Sequence, residues 1–172
     1  PAVGTVIEMN DVELAELITT LTERGLTIAT AESLTGGGLV ARLVDTPGAS
    51  HVVRGGACTY AVDAKASVLG VSESQLALTG PVDEQVARQM ARGARALFRS
   101  DIGVSTTGVA GPGPADGFDA GTVHIACAHP RGEEHRLLHL DGDRAAVRAG
   151  AINAALILVR DVLDFAASGA DD

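Results

Sequence analysis

The stretch Thr27-Ile28-Ala29-Thr30-Ala31-Glu32-Ser33-Leu34-Thr35-Gly36-Gly37-Gly38 decides the fold class. Thr27 to Thr30 is short and β-branched, the pattern of a buried strand, and it delivers the chain through a glycine-rich turn into a helix over Leu39 to Val44. Such a joint is the building unit of α/β proteins. Before it, Val12, Leu14, Leu17, Ile18 and Leu21 recur mostly at three- and four-residue steps and predict a helix. Asn10 can cap that helix, Glu13 stands at capping-box spacing, and Gly25 stops it. After it, the Val-rich run Ser50 to Tyr60 reads as a strand, and Gly55-Gly56 in its middle signals a bulge or a close backbone approach. Ala64 to Leu69 is a short helix. Asp83 to Arg99 is a longer one, with Val86, Met90, Ala94 and Leu97 at helical spacing, Pro81 ahead of it, and acids in the first turn, where they suit the helix dipole. Ile102 to Thr107 is a second β-branched run. Thr122 to Ala128 and Glu134 to Leu140 form a hairpin around Pro130-Arg131-Gly132, and Arg144 to Phe165 returns to helix. The order α-β-α-β-α-α-β-β-β-α implies a mainly parallel sheet between helices, to which the late hairpin adds an antiparallel strand.

With 172 residues, no internal repeat and no composition break, residues 1–172 are expected to form a single domain. Hydrophobic residues make up 46% and charged residues 20%, too apolar for a disordered chain. Aromatic residues are only 2%, so the core is built from Ala, Val, Leu and Ile, and stacking platforms for single-stranded nucleic acid are not expected. A net charge of −9 repels a phosphate backbone over most of the surface, so no nucleic-acid partner is expected, although one Arg or a helix start can still hold a small anion. No apolar run is long enough to span a bilayer, and Pro1 to Asn10 lacks the order of a signal peptide; no membrane partner and a cytoplasmic location follow as expectations. Cys58 and Cys127 have neither metal-ligand nor disulfide spacing and read as small buried hydrophobes in a reducing compartment. Self-association is left open.

Twelve of the thirteen basic residues are Arg, and the one lysine is Lys65, five residues after the one tyrosine, Tyr60. Lysine differs from arginine in being able to lose its proton when desolvated, so a chain that keeps a single Lys points to a base, against the plainer reading of a solvated surface lysine. A gap of five does not align two side chains on one helix face; Tyr60 then ends the strand, Lys65 sits in the next helix, and both can face one cleft. Ser33, following a buried strand and preceding Thr35-Gly36-Gly37-Gly38, is a candidate nucleophile with N–H groups nearby, or else an N-cap. It lacks the G-x-S-x-G context and the Ser-x-x-Lys spacing. The loop Gly108 to Gly113, continuing to Gly121, is neither an NTP P-loop nor a dinucleotide fingerprint. Arg144, at the start of the last helix, can clamp a phosphate or pair with Asp141. Of the five histidines, His135 and His139 are four apart in a strand, which is not zinc spacing.

Seven segments in order, AESLTGG at 31–37, DTPGAS at 45–50, the hexapeptide from Tyr60 to Lys65, GPVDEQVA at 80–87, TTGVAGP at 106–112, GTVHIA at 121–126 and GDRAAVR at 142–148, resemble the CinA C-terminal domain family, the nicotinamide mononucleotide amidases. The resemblance covers almost the whole chain and has no counterpart for the family's N-terminal pyrophosphatase domain, which implies a stand-alone amidase domain. It implies a three-layer α/β/α sandwich with a mixed, mainly parallel sheet, and hydrolysis of the carboxamide of nicotinamide mononucleotide to nicotinic acid mononucleotide and ammonia. Carried over residue by residue, it makes Ser33 the nucleophile, Tyr60 and Lys65 its catalytic partners, and Glu32, Thr35, Gly36, Gly37, Thr107, Gly108, Gly111 and Arg144 the contacts of the nucleotide substrate. Lys65 would take the Ser33 proton directly or through Tyr60, backbone donors at 35–37 or 107–108 would hold the oxyanion, and neither a metal nor an organic cofactor is expected. Bringing a lysine from ~10.4 to near ~7 biases it by roughly 4 kcal/mol against its charged form, which burial can supply. Family members commonly carry Tyr-Ser-Asn where this chain has Tyr60-Ala61-Val62, and a non-catalytic nucleotide-binding or regulatory module with the same pocket is the competing reading. A short-chain dehydrogenase would need a Tyr-Lys gap of four after a dinucleotide turn, and neither occurs.

Overall fold

The computed structural model describes residues 8–169; most of the Pro1 to Asn10 segment read above for a signal lies outside them. Helix α1 (Asp11–Arg24) begins at the capping box of Asn10 and Glu13 and ends on Gly25 in the left-handed conformation. The chain continues as β1 (Ile28–Glu32), α2 (Gly38–Val44), a 3₁₀ turn (Ala49–His51), β2 (Val53–Cys58), α3 (Val62–Leu69), α4 (Glu73–Thr79), α5 (Glu84–Phe98), β3 (Ile102–Gly108), β4 (Thr122–His129), β5 (Gly132–His139) and α6 (Arg144–Ser168). Two differences from the sequence reading stand out. The run from Ser50 starts as a 3₁₀ turn and becomes a strand only at Val53, and α4 was not expected, because Leu76 is its one buried residue and no apolar stripe announces it.

The five strands lie in the order β2-β1-β3-β4-β5. β1 pairs in parallel with β2 and with β3, while β4 runs antiparallel to both β3 and β5. β4 is therefore the one strand opposed to the other four, and the sheet is mixed as expected. One face packs Ile28, Ile102, Val104, Val123 and Ile125 against α1, α2 and α6. The other face offers Ala29, Ala31, Ala126 and Ala128 to α3, α4 and α5. Three layers result, and on the second face they approach closely: a Cβ on Gly103 would run into the Ala91 carbonyl of α5. The pair Gly55-Gly56 proves to mark both devices its position allowed. The β1–β2 register slips beside it, and side chains at the two positions would meet Phe98 and the Thr30 hydroxyl respectively.

Leaving β1, the chain crosses by α2 to one neighbour; β3, the other neighbour, is reached through α5 on the opposite face. The carboxyl ends of β1 and β3 thus flank a point where the winding direction reverses, and there the loops part to leave a crevice. Among the described residues no helix is long and apolar enough to cross a membrane. Cys127 is buried in the core, whereas Cys58, expected to be buried as well, is exposed at the end of β2.

Candidate active site

A cleft of about 370 Å³ opens at that reversal, lined by Ser33, Tyr60, Lys65, Thr107, Gly108, Gly111 and Arg144 among others. Ser33 is the first residue after β1. Its N–H donates to the Thr106 carbonyl of β3 (3.1 Å), and its own carbonyl accepts from Gly36 N–H (3.1 Å), so the turn is closed as soon as the strand ends. Ser33 is not the cap of α2; that position is Gly37, at φ 94°. The Ser33 hydroxyl is left facing Lys65.

Lys65 comes from the first turns of α3 and is 1% exposed. Its Nζ lies 3.0 Å from Ser33 Oγ, donates to the Thr59 carbonyl at 2.6 Å and reaches the Tyr60 carbonyl at 3.4 Å. Burial penalises the ammonium and lowers it from 10.5 to about 8, against the opposing pull of Asp116. In the neutral amine, two N–H bonds can stay on the two carbonyls while the lone pair faces the serine hydroxyl. That is the arrangement of a general base and an alcohol nucleophile.

Tyr60 does not join this pair. Its hydroxyl accepts from Arg144 Nη2 (3.2 Å) and the residue is 66% exposed at the mouth of the cleft. Arg144, the first residue of α6 after the cap Asp143, also donates through Nη1 to the Gly111 carbonyl, and so bridges the tyrosine and the loop after β3. It makes no ion pair with Asp141 among the described residues.

Four of the residues read as substrate contacts lie behind Ser33 instead of lining the cleft. The Glu32 side chain is fully buried; its carboxylate accepts from Thr30 Oγ1 (2.9 Å), Thr35 Oγ1 (2.7 Å), Leu39 N–H (2.8 Å) and Val40 N–H (3.0 Å). It satisfies the open N–H groups of α2 in place of a capping side chain, which Gly37 lacks. Thr35, buried as well, shares its hydroxyl between Glu32 and Thr106. Gly36 and Gly37 supply the positive φ values the turn needs, 59° and 94°. Oxyanion donors within 35–37 are therefore displaced from the cleft, whereas Thr107 and Gly108 line it; the Thr107 hydroxyl itself is spent on the Pro81 carbonyl (2.7 Å).

Two residues of the site were not picked out from the sequence. Arg148, one turn after Arg144 on α6, donates to the Leu34 and Thr35 carbonyls (2.9 and 3.1 Å) and pins the serine turn from outside. It is the last residue of the GDRAAVR segment, the one signal that could have flagged it. Asp116 lies in the loop from Val109 to Gly121 and lines the cleft. That loop is closed at its base by Gly121 N–H on the Val109 carbonyl (2.7 Å), and inside it Ala115 and Phe118 exchange two backbone hydrogen bonds (3.0 and 2.9 Å). Asp116 and Gly117 between them have φ 54° and 83°, the geometry of a two-residue type I′ turn for which Asp-Gly is a favoured sequence.

Fold and site together define a class: a three-layer α/β protein with a serine and a buried lysine paired under a strand-end cleft. The chain belongs to the CinA C-terminal domain family, whose model matches residues 11–163. It is 48% identical over 143 residues to a CinA-like protein of Frankia casuarinae, covering 83% of this chain and 33% of that one. A CinA-like protein of Syntrophus aciditrophicus is 46% identical over 145 residues, 83% of this chain and 34% of the relative. The chain thus spans about a third of the length of these curated relatives. Among solved structures, the competence/damage inducible protein CihA from Agrobacterium tumefaciens superposes with a TM-score of 0.84 at 37% identity, covering 92% of this chain and 98% of its own. A CinA superfamily protein from Escherichia coli superposes with a TM-score of 0.85 at 31% identity, over 92% and 95%. Membership of this family is consistent with an enzyme.

Proposed function

We propose that the chain hydrolyses the carboxamide of nicotinamide mononucleotide, giving nicotinic acid mononucleotide and ammonia. The observation that carries this reading is the contact of 3.0 Å between Lys65 Nζ and Ser33 Oγ, made by a lysine that burial holds near 8. In the first step the Ser33 proton passes directly to the neutral amine as Oγ bonds to the carboxamide carbon. N–H groups at the end of β3 are suited to the resulting oxyanion. Lys65 then returns the proton to the leaving nitrogen, the C–N bond breaks, and ammonia departs from an acyl-serine. Water, giving a proton to Lys65, attacks that ester and releases the acid and the free serine. Arg144 would take the 5′-phosphate by charge-assisted hydrogen bonds, with Tyr60 as its neighbour at the mouth. Tyr60 is then a binding residue, not a proton relay.

The test is ammonia release from nicotinamide mononucleotide, nicotinamide riboside and nicotinamide side by side, with Ser33→Ala as control. The mononucleotide should be hydrolysed fastest and the folded Ser33→Ala variant should fall by three orders of magnitude or more. Full activity in that variant would exclude the acyl-serine route. Binding of the mononucleotide without ammonia release by the intact chain would favour a nucleotide-binding module instead.

A further inference from the structure

We propose that Asp116 is a specificity-determining residue that makes the cleft prefer a cationic, N-substituted pyridine carboxamide over a neutral carboxamide. The inference rests on the amidase reading of the same cleft and adds what the cleft asks of the ring. The side chains of unlike charge that line it, apart from Lys65, are Asp116 and Arg144. Once Lys65 is neutral, as the reaction requires, the cleft presents one anion and one cation. That pattern matches a ligand carrying a positive ring at one end and a phosphate at the other, and Arg144 already accounts for the phosphate.

Asp116 has no competing duty. None of the ion pairs among the described residues includes it. Lys65 has its three hydrogen-bond positions filled by Ser33, Thr59 and Tyr60. The tight turn fixes the backbone from which the carboxylate projects, so the loop itself needs little ordering when a ligand arrives. Asp116 lines the same cleft as Lys65, and its negative charge opposes the effect of burial on that amine. The same field would favour a pyridinium whose carboxamide lies against Ser33. A neutral ring has no net charge for that field to act on, so the carboxylate discriminates between the two by charge.

The experiment compares nicotinamide with 1-methylnicotinamide, two phosphate-free carboxamides that differ by one methyl group and one positive charge. Binding to the intact chain is measured by calorimetry, and ammonia release from both and from nicotinamide mononucleotide is measured alongside. Asp116→Asn keeps the shape and tolerates positive φ, and Asp116→Gly is the second variant should the first misfold. The preference for the methylated cation over nicotinamide is expected to fall at least tenfold in either variant. In addition, the acid limb of the pH profile should move to lower pH, because the anion that supports protonated Lys65 is gone. An unchanged preference, or equal losses for cation and neutral amide, would overturn the assignment even if the intact chain hydrolyses the mononucleotide. An Asp116-dependent preference in binding without any ammonia release would uphold it and sink the amidase reading instead.

Discussion

Lys65 holds two main-chain carbonyls and faces one serine hydroxyl, so replacing it distinguishes a base from a fixed cation. Lys65→Arg retains the charge and cannot release a proton, so it should be nearly as inactive as Lys65→Ala, by steady-state ammonia assay. A variant that kept a substantial fraction of activity would reduce Lys65 to an electrostatic role. In the parent chain kcat/KM should rise with pH along an acid limb whose midpoint is about 8, the value to which burial brings the amine. Stability follows the same shift. The folded-state value lies below the ordinary 10.5, so the unfolded chain binds more protons between about 8 and 10.5. The cost of the buried ammonium is full below about 8 and is relieved as pH rises through that window. Lys65→Met should flatten this alkaline rise in melting temperature.

Glu32 ties β1 to α2, and the strand, the serine turn and the helix start act as one unit through it. Glu32→Gln replaces one acceptor oxygen by a donor amide that must face hydroxyls or N–H groups, at a cost of roughly 2–4 kcal/mol for buried bonds of this kind. A melting temperature lower by roughly 4–16 °C is expected, since each kcal/mol moves a chain of this size by about 2–4 °C. A direct substrate contact would instead raise KM and spare stability. The sequence could not reveal this orientation: β1 is buried along its whole length, so the alternation that assigns faces is missing. By contrast, α1 and α5 were legible to within a residue or two, because each carries a capping residue, Asn10 or Asp83, and a buried apolar stripe. Ser33 and Lys65 were legible as chemistry, yet their contact depends on α3 bringing Lys65 to the residue that follows β1, which no local pattern encodes. Asp116 had a local signal, the Asp-Gly dipeptide, but nothing short of the folded loop aims it at the cleft.

Across the whole molecule, acid sensitivity should come from the sheet's antiparallel side. His124 of β4 and His135 of β5 stack at 5.1 Å between ring centroids, with Nδ1 and Nε2 2.9 Å apart, beside Glu84 in the first turn of α5. Burial is the main cause that lowers both; for His124 the charges of His135 and His139 add to it, for His135 Arg88 does, and Asp83 and Glu84 oppose. Folded-state values below the ordinary 6.5 mean that the unfolded chain takes up protons first, so stability is full above about 6.5 and declines as pH falls below it. Melting temperature should drop as pH falls below about 6.5, and His124→Gln should shrink that drop; an unaltered slope would shift the cause to other groups. The close sheet-to-helix packing, built with few aromatic side chains, has an optical consequence. The chain has no tryptophan and a single tyrosine, and that tyrosine stands at the mouth of the cleft with its hydroxyl on Arg144. Tyrosine emission therefore originates from one place only, so an unlabelled sample reports occupancy of the cleft by its own light, against a scaffold that is nearly dark.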